Sequence, residues 1–242
     1  MKQRLDQQLV SQGLVTSRSQ AESYVKLGLV TINGHKAAKP GQMVLPTDVL
    51  KVQAAHQYVS RAALKLASVA ERLRIDFKGK TMLDVGSSTG GFTQFALEQG
   101  AHMVLAVEVG TNQLHPSLRQ DPRIELHEKT DIRDFQTEQK IDLVVADVSF
   151  ISLRELLPSI KKLCHKQTDL ILMVRPQFEA AADNLKHEGV IKDDKIRCEI
   201  LKNYETWAVQ HGFYIVDKAD SDVAGGKGNL ERFYHLKIAS IS

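Results

Sequence analysis

The sequence predicts an α/β protein: a mainly parallel sheet with helices on both faces, preceded by a small α+β module. Three observations predict it. Beyond residue 80, seven apolar, β-rich runs alternate with helical stretches. A glycine-rich turn follows the first of those runs. Positive charge is gathered in the first quarter of the 242 residues: residues 1–55 hold seven Lys/Arg against three Asp/Glu, while the rest of the chain is one charge negative. With 43% hydrophobic residues the chain can bury a core without a metal or disulfide staple. Two cysteines, Cys164 and Cys198, exclude a disulfide framework and a Cys-rich metal site, so a reducing, cytoplasmic setting is expected. There is no apolar run of about 18 residues, and Met1–Asp6 lacks a signal-peptide core, so neither membrane spanning nor secretion is expected.

Taking the elements in order, Leu5, Leu9 and Val10 form an apolar stripe ended by Gly13, which predicts a short helix over residues 3–12. A second helix follows at once, since Ser17 to Gln20 and Ser19 to Glu22 have capping-box spacing and Ala21 and Val25 continue the stripe. Leu29–Ile32 is β-rich, Asn33-Gly34 is a strong hairpin signal, and Val49–Val52 closes a small sheet. This places a first domain at residues 1–55 and a second at 56–242, joined at Ala54–Gln57. From Ser60, a candidate N-cap, a helix runs to about Arg74 with Leu66, Val69, Ala70 and Leu73 toward a core. Arg61, Lys65 and Arg72 share another face, which by itself reads as a solvated basic stripe.

The predicted strands are Thr81–Val85, His102–Glu108, Ile124–His127, Asp142–Asp147, Asp169–Val174, Phe213–Lys218 and Arg232–Ile238. In such sheets ligands bind at the carboxyl ends of strands, so the residues just after each run carry the information. The first strand ends in Asp84-Val85-Gly86-Ser87-Ser88-Thr89-Gly90-Gly91-Phe92, where glycines admit a ligand to the backbone and the next helix offers free N–H groups. The spacing is G-x-x-x-G-G, not the dinucleotide G-x-G-x-x-G. Glu108 stands 22 residues after Gly86, near the spacing at which an acid binds ribose hydroxyls. Asp131 follows the third strand and reads equally as an exposed loop acid. Asp147 ends a buried run, which calls for a partner, with helix capping as the plain alternative. Leu201, Tyr204 and Trp207 share a helical spacing and read as core. His165, His187 and His211 lack metal-ligand spacing, and Asp183–Glu188 reads as a polar surface loop.

Three resemblances rest on these residues. Arg4-Leu5-Asp6, Leu9, Gly13-Leu14, Ser17-Arg18, Ala21, Gly28-x-Val30-x-Ile32-Asn33-Gly34, Lys39-Pro40 and Asp48-x-Leu50-x-Val52 resemble the S-four RNA-binding module. That resemblance implies Arg4, Arg18, Lys26 and Lys36 as phosphate contacts, a mode that supplies affinity more than sequence choice. The glycine turn with Glu108 resembles the S-adenosylmethionine site of class I methyltransferases, in which the last strand is antiparallel. Its start would then share the rim with the other strands' ends, bringing Asp147, Arg175 and Glu231 together with Lys65. More closely, Tyr58-Val-Ser-Arg61-x-x-x-Lys65, Leu83-Asp-x-Gly86, Ser88-Thr-Gly-Gly-Phe92, Ala106-Val-Glu108, Asp147-x-Ser-Phe150, Arg175-Pro-Gln-Phe-Glu179 and Gly228-Asn229-x-Glu231 resemble the TlyA family. Members are called hemolysin A-like proteins and ribosomal RNA 2′-O-methyltransferases, with an FtsJ-like catalytic domain.

The resemblance implies a class I methyltransferase sheet behind the S-four module, S-adenosyl-L-methionine as cofactor, and ribosomal RNA or ribosomal subunits as partner, with no DNA and no membrane. Cofactor contacts would come from Asp84, Gly86, Ser87, Ser88, Thr89, Gly90, Gly91, Phe92, Glu108, Asp131 and Asp147, and Arg61 would add to the RNA face. The family's Lys-Asp-Lys-Glu tetrad maps onto Lys65, Asp147 and Glu231, with Arg175 in place of the second lysine. Lys65 would then deprotonate or steer the ribose hydroxyl. Asp147 and Glu231 would position the cations, and Arg175, a fixed cation, would give electrostatic support. Rival readings are a non-catalytic RNA-binding or assembly factor that keeps the fold, and the pore former of the family's name, which the absence of a membrane-long apolar segment disfavours.

Overall fold

The first 52 residues build the small module in a computed structural model, which describes residues 2–15, 17–26, 28–52, 58–182, 189–191, 193–223, 225 and 228–239. The expected join at 54–57 and the polar loop at 183–188 lie outside the described residues. The module runs β1 (Gln3–Arg4), α1 (Leu5–Ser11), α2 (Arg18–Lys26), β2 (Val30–Ile32), β3 (His35–Lys36), β4 (Met43–Val44) and β5 (Leu50–Val52). The helix expected over 3–12 gives up its first two residues to β1, because Gln3 and Arg4 pair antiparallel with Val44 and Met43. Asn33 and Gly34 both take positive φ (52° and 85°), turning β2 back onto β3, as a two-residue hairpin requires. Strand β2 also pairs with β5, and Leu5, Leu9, Ala21, Tyr24, Val30 and Leu50 fill the space between helices and strands.

The body continues with α3 (Arg61–Ala70), β6 (Thr81–Val85), α4 (Gly91–Glu98), β7 (Met103–Glu108), β8 (Ile124–Glu128), β9 (Ile141–Ala146), α5 (Leu153–Leu163), β10 (Cys164–Val174), α6 (Pro176–Ala182), α7 (Asp194–Gln210), β11 (Phe213–Asp220) and β12 (Arg232–Ile238). Helix α3 closes four residues earlier than expected, with Arg74 in a left-handed conformation (φ 53°) ending the turn beyond it. The seven strands form one sheet in the order β11-β12-β10-β9-β6-β7-β8, in which β12 alone runs antiparallel to its neighbours. Side chains alternate between two cores as the strand period dictates. Leu170, Leu172 and Val174 of β10 meet Leu157, Ile160 and Tyr204 on the α5/α7 face, while Ile171 and Met173 meet Leu66, Phe92 and Phe233 on the α3/α4 face. Burial of each such side chain stabilises the fold by roughly 1.5–3 kcal/mol. Leu201 and Tyr204 are core as expected, and Trp207 packs at its margin, stacked on His211.

Helix α3 serves two cores at once. Leu66 and Val69 pack into the body, whereas Leu64, one residue before Lys65, is buried in the module's core together with Val223 from the segment between β11 and β12. The sheet register then sets the rim. Val85 pairs with Val107 and Ala146, Ala146 with Leu172, and Val174 with Arg232. Gly86, Glu108, Asp147, Arg175 and Glu231 therefore emerge at one edge.

Candidate active site

The glycine turn after β6 is built for close approach. Gly86 (φ 78°) lies so near β9 that a β-carbon there would stand 2.8 Å from the Asp147 carbonyl oxygen. Gly90 (φ 90°) caps α4 from a left-handed conformation, and Gly91 lets α4 press on α3 where any side chain would meet Ser60 and Ala63. Asp84, 1% exposed, accepts a 2.6 Å hydrogen bond from the Thr93 hydroxyl through one oxygen, while the other is buried without a partner. Burial pushes its carboxyl up to about 7. The Thr93 bond opposes that rise, and the charges of Asp147 and Glu108 add to it. Ser87 Oγ is also buried without a partner.

Two adjoining cavities flank this turn, both bordered by Gly86, Ser88, Asp147 and Ser149. The larger, about 450 Å³, is lined by Glu108, Asp131, Val109 and Phe150 as well. Glu108 accepts from the backbone N–H groups of Ser88 (2.9 Å) and Gly110 (2.7 Å), tying the turn to the end of β7. Asp131 is gripped by the Arg133 guanidinium through two bonds (2.9 and 2.6 Å), which holds its carboxyl below the usual range. The smaller cavity, about 260 Å³, is lined by Arg61, Lys65, Asp84, Ser87, Thr89, Phe92 and Arg175. Two of its cations are anchored. Lys65, 6% exposed, donates to Glu231 at 3.1 Å, and Arg175 donates through Nε to Asp147 at 2.8 Å and through a second nitrogen to the same oxygen. Glu231 is 1% exposed and keeps its other oxygen without a partner.

The structure thus splits the supposed basic stripe. Arg72 is exposed, Arg61 sits at the cavity mouth, and Lys65 is buried because its pairing with Glu231 offsets the cost of taking an ammonium out of water. Ser60 begins α3 in an extended conformation but makes no side-chain cap bond. In the module, Arg4 and Arg18 both donate to the buried Asp6 (2.9 Å each), while Lys26 and Lys36 are exposed. Sequence reasoning gave no role to Phe150, which is 93% exposed at the cavity mouth with φ 69°. Nor did it give one to Arg133 or Glu179. Nothing in a sequence marks a phenylalanine that will be held outward by a left-handed backbone. The free thiol of Cys164 is pushed up to about 12 by burial, which keeps it unreactive. Among the described residues there is no cluster of metal ligands and no helix long and apolar enough to cross a membrane.

An FtsJ-like methyltransferase family model matches residues 58–238, and an S4 domain model matches residues 3–50. The chain is 45% identical over 195 residues to a 23S rRNA (cytidine-2′-O)-methyltransferase of Campylobacter jejuni, covering 79% of this chain and 76% of that protein. It is 38% identical over 239 residues to a 16S/23S rRNA (cytidine-2′-O)-methyltransferase of Mycobacterium tuberculosis, covering 97% and 89%. A solved structure from Streptococcus thermophilus, described as a proposed hemolysin, superposes with a TM-score of 0.72 at 35% identity, covering 99% of this chain and 89% of that one.

Proposed function

Because the chain belongs to the FtsJ-like methyltransferase family and carries an S4 domain ahead of the catalytic body, we propose that it methylates the ribose 2′-hydroxyl of a nucleotide in ribosomal RNA. A cytidine is the favoured target, as in the names of the two relatives. The single observation that carries this reading is the pair of adjoining cavities. One has the size of a small-molecule site, and the other presents Lys65, Asp147 and Arg175 beside it.

The residues fit S-adenosyl-L-methionine. The crowded Gly86 leaves the turn's backbone open to a ligand, and the unpartnered Asp84 and Ser87 oxygens await polar groups. Asp84, Gly86, Ser87, Ser88 and Thr89 would hold the amino-acid end. Glu108 would hold the ribose, and Asp131 would lie beside the base, with Gly90, Gly91 and Phe92 shaping the turn beneath. Bound there, S-adenosyl-L-methionine supplies a methyl group activated by its positive sulfur.

The chain's own residues do the rest. Glu231 fixes Lys65 in the acceptor cavity, where it orients the incoming 2′-hydroxyl; once Lys65 has passed a proton to the Glu231 carboxylate, its neutral amine takes the hydroxyl's proton as the oxygen attacks the methyl carbon. Asp147 fixes Arg175, whose charge steadies the negative charge growing on that oxygen. The Phe150 ring at the mouth offers a face to an unpaired base. The module's exposed cations and Arg61 lead the RNA phosphates toward this rim.

The test is methyl transfer from labelled S-adenosyl-L-methionine to isolated small and large ribosomal subunits. The wild-type chain should label ribosomal RNA at a 2′-oxygen, and Lys65→Ala should lose about 10²- to 10⁴-fold in rate with cofactor binding kept. Cofactor binding without transfer by the wild type would instead favour a non-catalytic RNA-binding factor.

A further inference from the structure

The two segments that leave the neighbouring parallel strands β9 and β10 are joined side chain to side chain, in sequence order. Nearest the sheet, Asp147 pairs with Arg175. Next, the ring of Phe150 meets that of Phe178 at 5.5 Å, and the Arg175 guanidinium also lies over the Phe178 ring, 5.9 Å from its centre. Last comes Glu179. Its carboxylate is 1% exposed and accepts from the Ser152 hydroxyl (2.6 Å) and the Leu153 backbone N–H (2.8 Å), with the Arg154 guanidinium 3.2 Å away.

We propose that Glu179 is a positioning residue: it locks segment 147–154 onto segment 175–179 and thereby holds Asp147 and Arg175 in alignment across the acceptor cavity. The inference rests on the methyltransferase reading above. A carboxylate buried this fully is costly unless several donors meet it, and here all of the named donors come from one short stretch, the start of α5. That start also carries the positive end of the helix dipole, while Ser152 separately caps the Arg154 N–H (3.1 Å). The backbone between the two fixed points is strained at Phe150, whose φ of 69° persists only if both ends of its loop are held. Asp147 is one such end and the Glu179 clamp is the other. Freed at the clamp, the loop can relax at Phe150 and swing Asp147, and with it Arg175, away from the acceptor oxygen.

The experiment uses the full chain with ribosomal subunits as substrate. Glu179→Gln keeps the shape of the side chain but places an amide against donors that need a carboxylate. At saturating S-adenosyl-L-methionine, kcat should fall by about 10- to 100-fold, while KM for the subunits changes by less than about threefold. If Glu179 acts through the Asp147–Arg175 pair, adding Glu179→Gln to Arg175→Ala should cost less than about twofold more, whereas independent damage multiplies. Amide hydrogen exchange over 147–154 should quicken in Glu179→Gln without a change in the sheet strands. Should that variant fail to fold, Ser152→Ala removes one bond of the clamp and should show a smaller kcat loss with the same unchanged KM. Wild-type kcat in either folded variant, or losses that multiply with Arg175→Ala, would overturn the clamp. A wild-type chain inactive on both subunits overturns the methyltransferase reading instead. Unchanged exchange over 147–154 in Glu179→Gln would overturn the clamp in that case too.

Discussion

In the N-terminal module, Arg4 and Arg18 leave 43% and 55% of their side-chain surface in solvent and share one buried carboxylate. In the body, Lys65 and Arg175 are drawn inward to 7% and 21%, each to a carboxylate of its own. The contrast separates two uses of the same ion pair. In the module, the bond from Arg4, joined by Arg18, holds Asp6 down at about 2, so the anchor stays charged at any physiological pH while both guanidiniums still reach solvent. Such cations are screened by salt and each adds little. In the body the pairs are largely withdrawn from water, and a cation without its partner would be a serious cost. Mutations should therefore have small, salt-dependent effects in the first region and large, salt-insensitive effects in the second.

The hardest test of that contrast is Arg175. Arg175→Ala leaves Asp147 without its cation beside the acceptor oxygen, and we expect kcat to fall by about 10²- to 10³-fold in the methyl-transfer assay, unchanged by added salt. Arg175→Lys tests the shape of the cation rather than its charge. It keeps the charge but loses the planar fork that grips Asp147, so it should retain activity within about tenfold of wild type. If Arg175→Ala remained fully active, the inward pairs would be structural and the contrast would fail.

A smaller effect is expected from Asp84, a buried carboxyl whose ionisation falls in the working range. Asp84 is raised to about 7, so it is protonated below that pH and ionised above it. A cationic ligand group in the cavity favours the ionised form. Affinity for S-adenosyl-L-homocysteine should thus fall by up to about tenfold per pH unit below about 7 and level off above it. The same linkage lowers folding stability as pH rises from about 4 to 7, because the unfolded chain has already released this proton. Calorimetric titration across that range checks the affinity, and Asp84→Asn should flatten the profile. A profile equally steep in Asp84→Asn would assign the titration to another group.

The parts of this arrangement that sequence could convey are those carried by periodicity and by order along the chain. The buried runs marked β6, β7, β9 and β12 nearly to the residue, since both faces of those strands are covered and the apolar run ends where the sheet ends. The missed elements depend on partners far away. The two-residue strands β1, β3 and β4 exist only through their pairing, and β10 begins at Cys164, five residues before its apolar run, because Cys164 pairs with Ile141 beyond a register shift. At the site, Lys65, Asp147, Arg175 and Glu231 converge through the sheet order and the antiparallel β12. The sharing of Asp6 by Arg4 and Arg18, and the outward Phe150, follow from backbone geometry that no local spacing encodes.

The smallest effect, and the one that sharpens the module's side of the contrast, separates its cations from one another. Lys36 is exposed on β3, its amine 3.5 Å from where a β-carbon on Gly28 would stand, and Lys26 is exposed at the end of α2. Arg18, by contrast, completes the neutralisation of a buried carboxylate. Lys36→Ala should weaken binding to ribosomal RNA by only a few-fold and reduce the salt slope of log affinity by about one, with the melting temperature unchanged. Arg18→Ala should weaken binding to a similar degree but also lower the melting temperature, because Asp6 then keeps only Arg4. Equal melting temperatures for the two variants would mean that the module uses all its cations alike, as a surface charge, and that the Asp6 anchor contributes nothing beyond it.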